Sequence, residues 1–100
     1  MLFVTLSIWL PSFAKAEAAV VVHKISGCDY FMAHGRGGYY VLEWYGGHDP
    51  DKGDTIAGPL NSYGFHDVDY PDSEDSGRVY VENFNVDKTT ALEQLVENCE

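Results

Sequence analysis

The chain has 100 residues, of which 45% are hydrophobic and 22% are charged, so it holds one small domain with its own core and is neither disordered nor fibrous. Its 16 acidic residues outnumber its 6 Lys and Arg residues and give a formal net charge of -10 at pH 7. This charge repels phosphate backbones and anionic lipids, so we expect no nucleic-acid partner.

The first ten residues are almost all apolar and are followed by Pro11 and by Ala14-Lys15-Ala16. An apolar stretch of this length before a small-x-small triplet is typical of a secretory signal peptide, and it is too short to cross a bilayer. We therefore predict a signal peptide over residues 1–16 and a mature chain that begins at Glu17. The predicted location is periplasmic or extracellular, with no stable membrane insertion after processing.

Two cysteines, Cys28 and Cys99, lie near the two ends of the predicted domain. In an oxidising compartment such a pair is expected to form a disulfide, which would tie these ends together. Two alternatives stay open. The cysteines could be separate thiols, or Cys28 could be lipidated, because Ile25-Ser26-Gly27-Cys28 also fits the sequence after which lipoproteins are cleaved and acylated.

Short segments rich in β-branched and aromatic residues, separated by Gly, Pro and Asp, predict a β protein. The predicted strands cover residues 18–25, 29–34, 39–45, 55–57, 61–70 and 78–86. Gly35-Arg36-Gly37-Gly38 suits a hairpin turn between the second and third strands. Residues 46–54 predict a long loop, and the acidic run from Asp67 to Asp75 predicts a turn.

Asp87 is the predicted N-cap of a C-terminal helix. Apolar residues in that helix repeat at i, i+3, i+4 and i+7 and predict one packed stripe, made of Leu92, Leu95, Val96 and Cys99. Five to six short strands and one helix within residues 17–100 favour a mainly β fold. The expected architecture is a small SH3-like or OB-like barrel with a C-terminal α-helix.

A tyrosine-rich motif starts at Tyr39 and continues into a segment with regularly placed Gly, Pro and Lys. Its residues are Tyr39-Tyr40-Val41-Leu42-Glu43-Trp44-Tyr45-Gly46-Gly47, Pro50, Lys52-Gly53-Asp54, Ile56, Gly58 and Tyr63-Gly64-Phe65. In these residues the chain resembles small exported bacterial proteins of unassigned function, over roughly Cys28 to Leu95. The resemblance bears on the fold and implies no activity or catalytic residue.

Candidate catalytic and metal-binding residues form no complete motif. The four histidines, at positions 23, 34, 48 and 66, are too far apart for a short metal motif, and no serine lies in a G-x-S-x-G elbow. The loop that starts at Asp49 has Gly53 and Asp54 where a calcium-binding EF-hand has a ligand and a glycine. We expect no cofactor. A small periplasmic hydrolase or metal-dependent protein that uses His48 or His66 with nearby aspartates stays open as the alternative.

Aromatic rings are more numerous than so small a barrel can easily enclose, so some are expected on the surface. In the strand over residues 39–45, side chains alternate between a core side, with Tyr40, Leu42 and Trp44, and a second side, with Tyr39, Val41, Glu43 and Tyr45. We predict that Tyr39, Glu43 and Tyr45 bind an unknown peptide, glycan or protein partner without catalysis. The competing interpretation is that the helix or the first strand covers this side, which would place both tyrosines in the core.

Overall fold

The computed structural model describes residues 16–100, which form six β-strands and one α-helix. These elements are β1 (Glu17–Lys24), β2 (Tyr30–Gly35), β3 (Gly38–Gly47), β4 (Thr55–Gly58), β5 (Gly64–Tyr70), β6 (Asp75–Val86) and α1 (Lys88–Asn98). The strands close into an antiparallel barrel in the order β1-β2-β3-β6-β5-β4, and β4 pairs with β1 to complete it. The predicted small, mainly β barrel with a C-terminal helix is confirmed. Of the predicted signal peptide, residues 1–15 lie outside the described part of the chain.

Apolar side chains from alternate positions of the strands fill the barrel. On β3, Tyr40 and Leu42 are fully buried in this interior, and Trp44 is partly buried against it. The prediction that Tyr40, Leu42 and Trp44 face the core is therefore confirmed. The remaining buried members of the interior cluster are Ala19, Val21, Phe31, Ala33, Ile56, Leu60, Val68, Tyr70, Val79 and Val81.

Helix α1 packs on the outside of the barrel, over β2 and β3. It begins as predicted at Asp87, whose carboxylate accepts hydrogen bonds from the backbone N–H of Thr90 at 3.2 Å and from its hydroxyl at 2.7 Å. Within residues 16–100, no helix combines the length and the apolar character needed to cross a membrane.

The apolar stripe of α1 differs from the predicted one. Ala91 and Leu95, which are four residues apart, are buried against Met32 of β2 and Val41 of β3, whereas Val96 is 50% exposed. Residues four apart share one helix face, so the contact is centred on the small Ala91 and turns Val96 towards solvent. Val96 therefore does not belong to the packed stripe, although Leu92 and Cys99 lie at its border.

The predicted disulfide between Cys28 and Cys99 is present. It joins the loop between β1 and β2 to the residue that follows α1, and it links positions 71 residues apart. The bond therefore fastens the end of the helix to the barrel. A disulfide in a small domain is typical of an oxidising environment.

The acidic segment between Asp67 and Asp75 is not a single turn. Strand β5 continues to Tyr70 and β6 already begins at Asp75, so the turn is limited to residues 71–74. Within β5, the exposed Asp67 and Asp69 alternate with the buried Val68 and Tyr70. Alternation of this kind is compatible with a strand on the barrel wall, because only every second side chain points inward.

Candidate functional site

Pairing between four strands places aromatic side chains and one carboxylate in a single row across the barrel wall. Tyr30 of β2 pairs with Glu43 of β3, Glu43 pairs with Tyr80 of β6, and Tyr80 pairs with Phe65 of β5. Paired residues project to the same side of a sheet, so these four side chains share the outer surface. Tyr45 lies two residues after Glu43 on the same side of β3. We call these five residues the aromatic face.

Three rings of the aromatic face are joined by two direct contacts, both made by Phe65. The rings of Tyr45 and Phe65 meet edge to face with centroids 4.8 Å apart, and those of Phe65 and Tyr80 do so with centroids 4.9 Å apart. Despite these contacts, Tyr45 is 51% exposed and Phe65 is 49% exposed. The three rings therefore form an aromatic surface that is already assembled and is accessible to solvent.

Glu43 brings negative charge into the aromatic face. Burial, with a smaller contribution from hydrogen bonding to Glu43, raises the pKa of Tyr30 to about 12. The charge of Glu43 is the main cause that raises the pKa of the Tyr45 hydroxyl, and Glu82 acts in the same direction on both tyrosines. Both phenols therefore stay protonated at neutral pH and can donate hydrogen bonds to Glu43.

Arg78 borders the aromatic face on β6. Its Cζ atom lies 5.6 Å from the centroid of the Phe65 ring, and its Nε atom lies 3.7 Å from Oδ1 of Asp67. A guanidinium above a ring and beside a carboxylate is a recurrent arrangement for binding a cation at a protein surface.

A depression of about 520 Å³ adjoins the aromatic face. Its lining includes Gly46 and Gly47 at the end of β3, Gly77 on β6, and the side chains of Asp67 and Arg78. A Cβ atom on Gly47 would lie 2.5 Å from Cα of Gly77, so glycine is required for this close approach of the two strands. The depression is a shallow extension of the face with carboxylates at its edge.

Of the three residues predicted to bind, the structure brings Glu43 and Tyr45 together and leaves Tyr39 apart. Tyr39 lies near the start of β3, packs at the border of the cluster under α1, and stacks on His34 with centroids 4.1 Å apart. Val41 separates it from Glu43 on the outer side of the strand and is fully buried beneath α1. The helix thus covers one half of this side of β3 and leaves the half with Tyr45 uncovered.

A second polar cluster lies in the loop after β3. Nε2 of His48 is 2.9 Å from Oδ2 of Asp54, and Nδ1 is 3.3 Å from Oδ2 of Asp75. The ring also packs against Tyr70 with centroids 4.6 Å apart. Hydrogen bonding to Asp54 raises the pKa of His48, partly opposed by burial, and the charge of Asp75 acts in the same direction as Asp54.

The contacts of this polar cluster are of the kind that fix a loop to the rest of a fold. Both ring nitrogens of His48 face carboxylates, so neither is directed at a substrate or a metal ion. Asp49, in the same loop, pairs with Lys24, and Nε2 of His66 lies 2.9 Å from the carbonyl oxygen of Ser62. Within residues 16–100, no group of three or more His, Cys, Asp or Glu side chains is arranged to hold a metal ion.

Comparisons of the chain with protein-family models, curated proteins and solved structures find no match. The resemblance to small exported bacterial proteins therefore stays a sequence-based prediction, and we infer function from the residues of the site alone.

Sequence reasoning did not assign Phe65, Tyr80 and Arg78 to the site. The alternation of Phe65, Asp67 and Asp69 in β5 was a usable signal for an outward-facing side of that strand. Strand β6 pairs with both β3 and β5 because the strands close into a barrel. This pairing determines which outward side chains become neighbours.

Proposed function

We propose that this protein is an exported, non-catalytic binding module that engages a peptide, glycan or protein partner through the aromatic face. The observation that carries the proposal is the contact cluster of Tyr45, Phe65 and Tyr80, two of whose rings stay half exposed. Large rings held by one another lose little conformational freedom on binding and supply much of the contact energy at interfaces.

The shape and chemistry of the face favour recognition over catalysis. Enzyme sites are usually concave pockets in which polar groups converge on a reacting atom. The aromatic face is instead a sheet surface with one carboxylate, Glu43, which pairs with Tyr30 and whose charge acts on the phenols of Tyr30 and Tyr45. Such a surface offers apolar contact area and a hydrogen-bond acceptor.

The predicted export of the chain supports a role in binding outside the cytoplasm. The disulfide between Cys28 and Cys99 forms and persists in oxidising compartments, and the sequence predicts a signal peptide over residues 1–16. The periplasm or the extracellular space is therefore the proposed site of action.

The experiment that tests this function is an unbiased selection, in which the ligand does not have to be identified beforehand. The oxidised protein and its Tyr45→Ser/Phe65→Ser variant are immobilised separately and screened against a random peptide display library and a glycan array. We expect ligands that bind the unaltered protein and are lost on the double variant, because serine removes the exposed contact area of both rings.

Tyr63→Ser is the matched control, since Tyr63 is 64% exposed but packs against Phe84, outside the aromatic face. It is expected to retain every selected ligand. Circular dichroism and thermal melting establish that all variants are folded. Ligands that bind the double variant as well as the unaltered protein, or the absence of any selected ligand, would contradict the proposed function.

A further inference from the structure

Carboxylates surround the aromatic face and its adjoining depression. The outer surface that holds the half-buried Glu43 also exposes three further carboxylates, those of Glu82 on β6 and of Asp67 and Asp69 on β5. Among the described residues, Arg78 is the one Lys or Arg on this surface. The entire chain is also strongly acidic, with a net charge of -10. A partner that binds this surface gains from positive charge.

The surface already shows how it holds a cation. The guanidinium of Arg78 lies above the ring of Phe65 and beside the carboxylate of Asp67. Glu43 and Glu82 also lie near a ring, because the charges of both act on Tyr45. Within residues 16–100, no Lys, Arg or His side chain forms an ion pair with Glu43 or Glu82. These two carboxylates are therefore open to a cation from a partner.

Glu43 and Glu82 lie near the same rings of the aromatic face. Leu42 pairs with Val81 and Val41 with Asn83, so a β-bulge leaves Glu82 of β6 without a partner on β3. The charges of Glu43 and Glu82 both act on the hydroxyls of Tyr30 and Tyr45. Side chains at alternate positions of an extended peptide project to one side, so one such segment can bring basic side chains to both carboxylates.

We infer, on the basis of the proposed function, that the aromatic face binds an extended cationic peptide segment of another protein, with Lys or Arg side chains on Glu43 and Glu82. The aliphatic stems of these side chains pack on Tyr45 and Tyr80 while their charged ends reach the carboxylates. A second copy of this chain is a poor occupant because two surfaces of the same negative charge repel each other. A neutral glycan can donate hydrogen bonds to the carboxylates but leaves their negative charge uncompensated.

The test uses a ten-residue peptide in which Arg alternates with Val, and the same peptide with citrulline, a neutral isostere, in place of Arg. Binding to the oxidised protein is followed by amide chemical shifts in NMR spectra. We expect the Arg peptide to shift the amides of Glu43, Tyr45, Phe65 and Tyr80 and to bind about fivefold more tightly than the citrulline peptide. Its affinity is expected to fall as the salt concentration rises from about 20 to about 300 mM.

The variant Glu43→Gln/Glu82→Gln is expected to bind the Arg peptide about fivefold more weakly, close to the citrulline peptide. The control Glu93→Gln/Glu97→Gln removes the same charge from exposed positions of α1 and is expected to keep the affinity within about twofold. Thermal melting shows whether each variant is folded.

The outcomes separate this inference from the function on which it depends. Equal affinity of the Arg and citrulline peptides for the face would overturn the cationic preference while supporting a binding face. No shift on the face with the Arg peptide, or equal weakening by both charge variants, would also overturn the inference. The proposed function is then judged by the library selection alone.

Discussion

Nε2 of His48 lies 2.9 Å from Oδ2 of Asp54, so the imidazole and a carboxylate face each other across the loop between β3 and β4. Hydrogen bonding to Asp54, partly opposed by burial, raises the pKa of His48 above its usual value of about 6.5. Because the pKa of His48 is higher in the folded state than in the unfolded state, this contact stabilises the folded protein to its full extent at pH values below the unfolded pKa. The contribution is lost as the pH rises through the folded pKa.

We therefore predict that the melting temperature falls between about pH 6 and about pH 8, and that His48→Gln removes about 3 °C of that difference. The matched control is His66→Gln, because His66 contacts a backbone carbonyl instead of a carboxylate. Thermal melts over this pH range measure both variants. An unchanged pH dependence in His48→Gln would show that the contact with Asp54 does not stabilise the loop.

Asp54 produces the opposite dependence at lower pH. Its pKa is lowered, first by a hydrogen bond from the backbone N–H of Asp51 and then by His48. The stability that it contributes is present above its unfolded pKa of about 4 and is lost as the pH falls further. We predict that Asp54→Asn flattens the acid limb of a stability profile measured by urea denaturation. An acid limb identical to that of the unaltered protein would contradict this prediction.

Reduction of the disulfide between Cys28 and Cys99 is predicted to lower the free energy of unfolding by about 4 kcal/mol, since a long loop in the unfolded chain is then released. Denaturant titrations with and without reductant measure the difference. A Cys28→Ser/Cys99→Ser variant should match the reduced protein and show no response to reductant. If the oxidised chain, unfolded without reductant, takes up two alkylating groups, the bridge is absent.

Two neighbouring residues of α1 are predicted to respond differently to truncation. Leu95→Ala should destabilise the protein by about 3 kcal/mol, because Leu95 is buried between the helix and the barrel. Val96→Ala should change stability by less than about 0.5 kcal/mol, because half of Val96 is exposed. Chemical denaturation compares the two. Similar losses from both variants would mean that the packed stripe of the helix includes Val96.

The fold was largely accessible from the sequence because each element has a strong local signal. The valines of β1, the glycines that flank the two-residue turn between β2 and β3, and the Asp87 cap each predict their element directly. The disulfide was predicted from the expected oxidising compartment and from the presence of two cysteines. Apart from this cysteine pair, each of these signals depends on residues that are close in sequence.

The candidate site was only partly accessible, because it is assembled by strand pairing. Glu43 and Tyr45 lie on one strand, and period-2 alternation was enough to place them on one side of it. Phe65 and Tyr80 join them only through the register of β5 and β6, which a barrel sets by closure. Tyr39 is set apart because α1 covers Val41, and the point at which a helix crosses a sheet is decided by tertiary packing.

The disulfide also determines how the molecule responds to mechanical force. If tension is applied between a point before Cys28 and a point after Cys99, the covalent path runs through the two sulfur atoms and bypasses the residues between them. Of the strands within residues 16–100, only β1 then lies in the loaded path, where its hydrogen bonds to β2 and β4 oppose its removal. The aromatic face belongs to the bypassed part of the chain, so it bears no tension through the backbone while the protein is stretched.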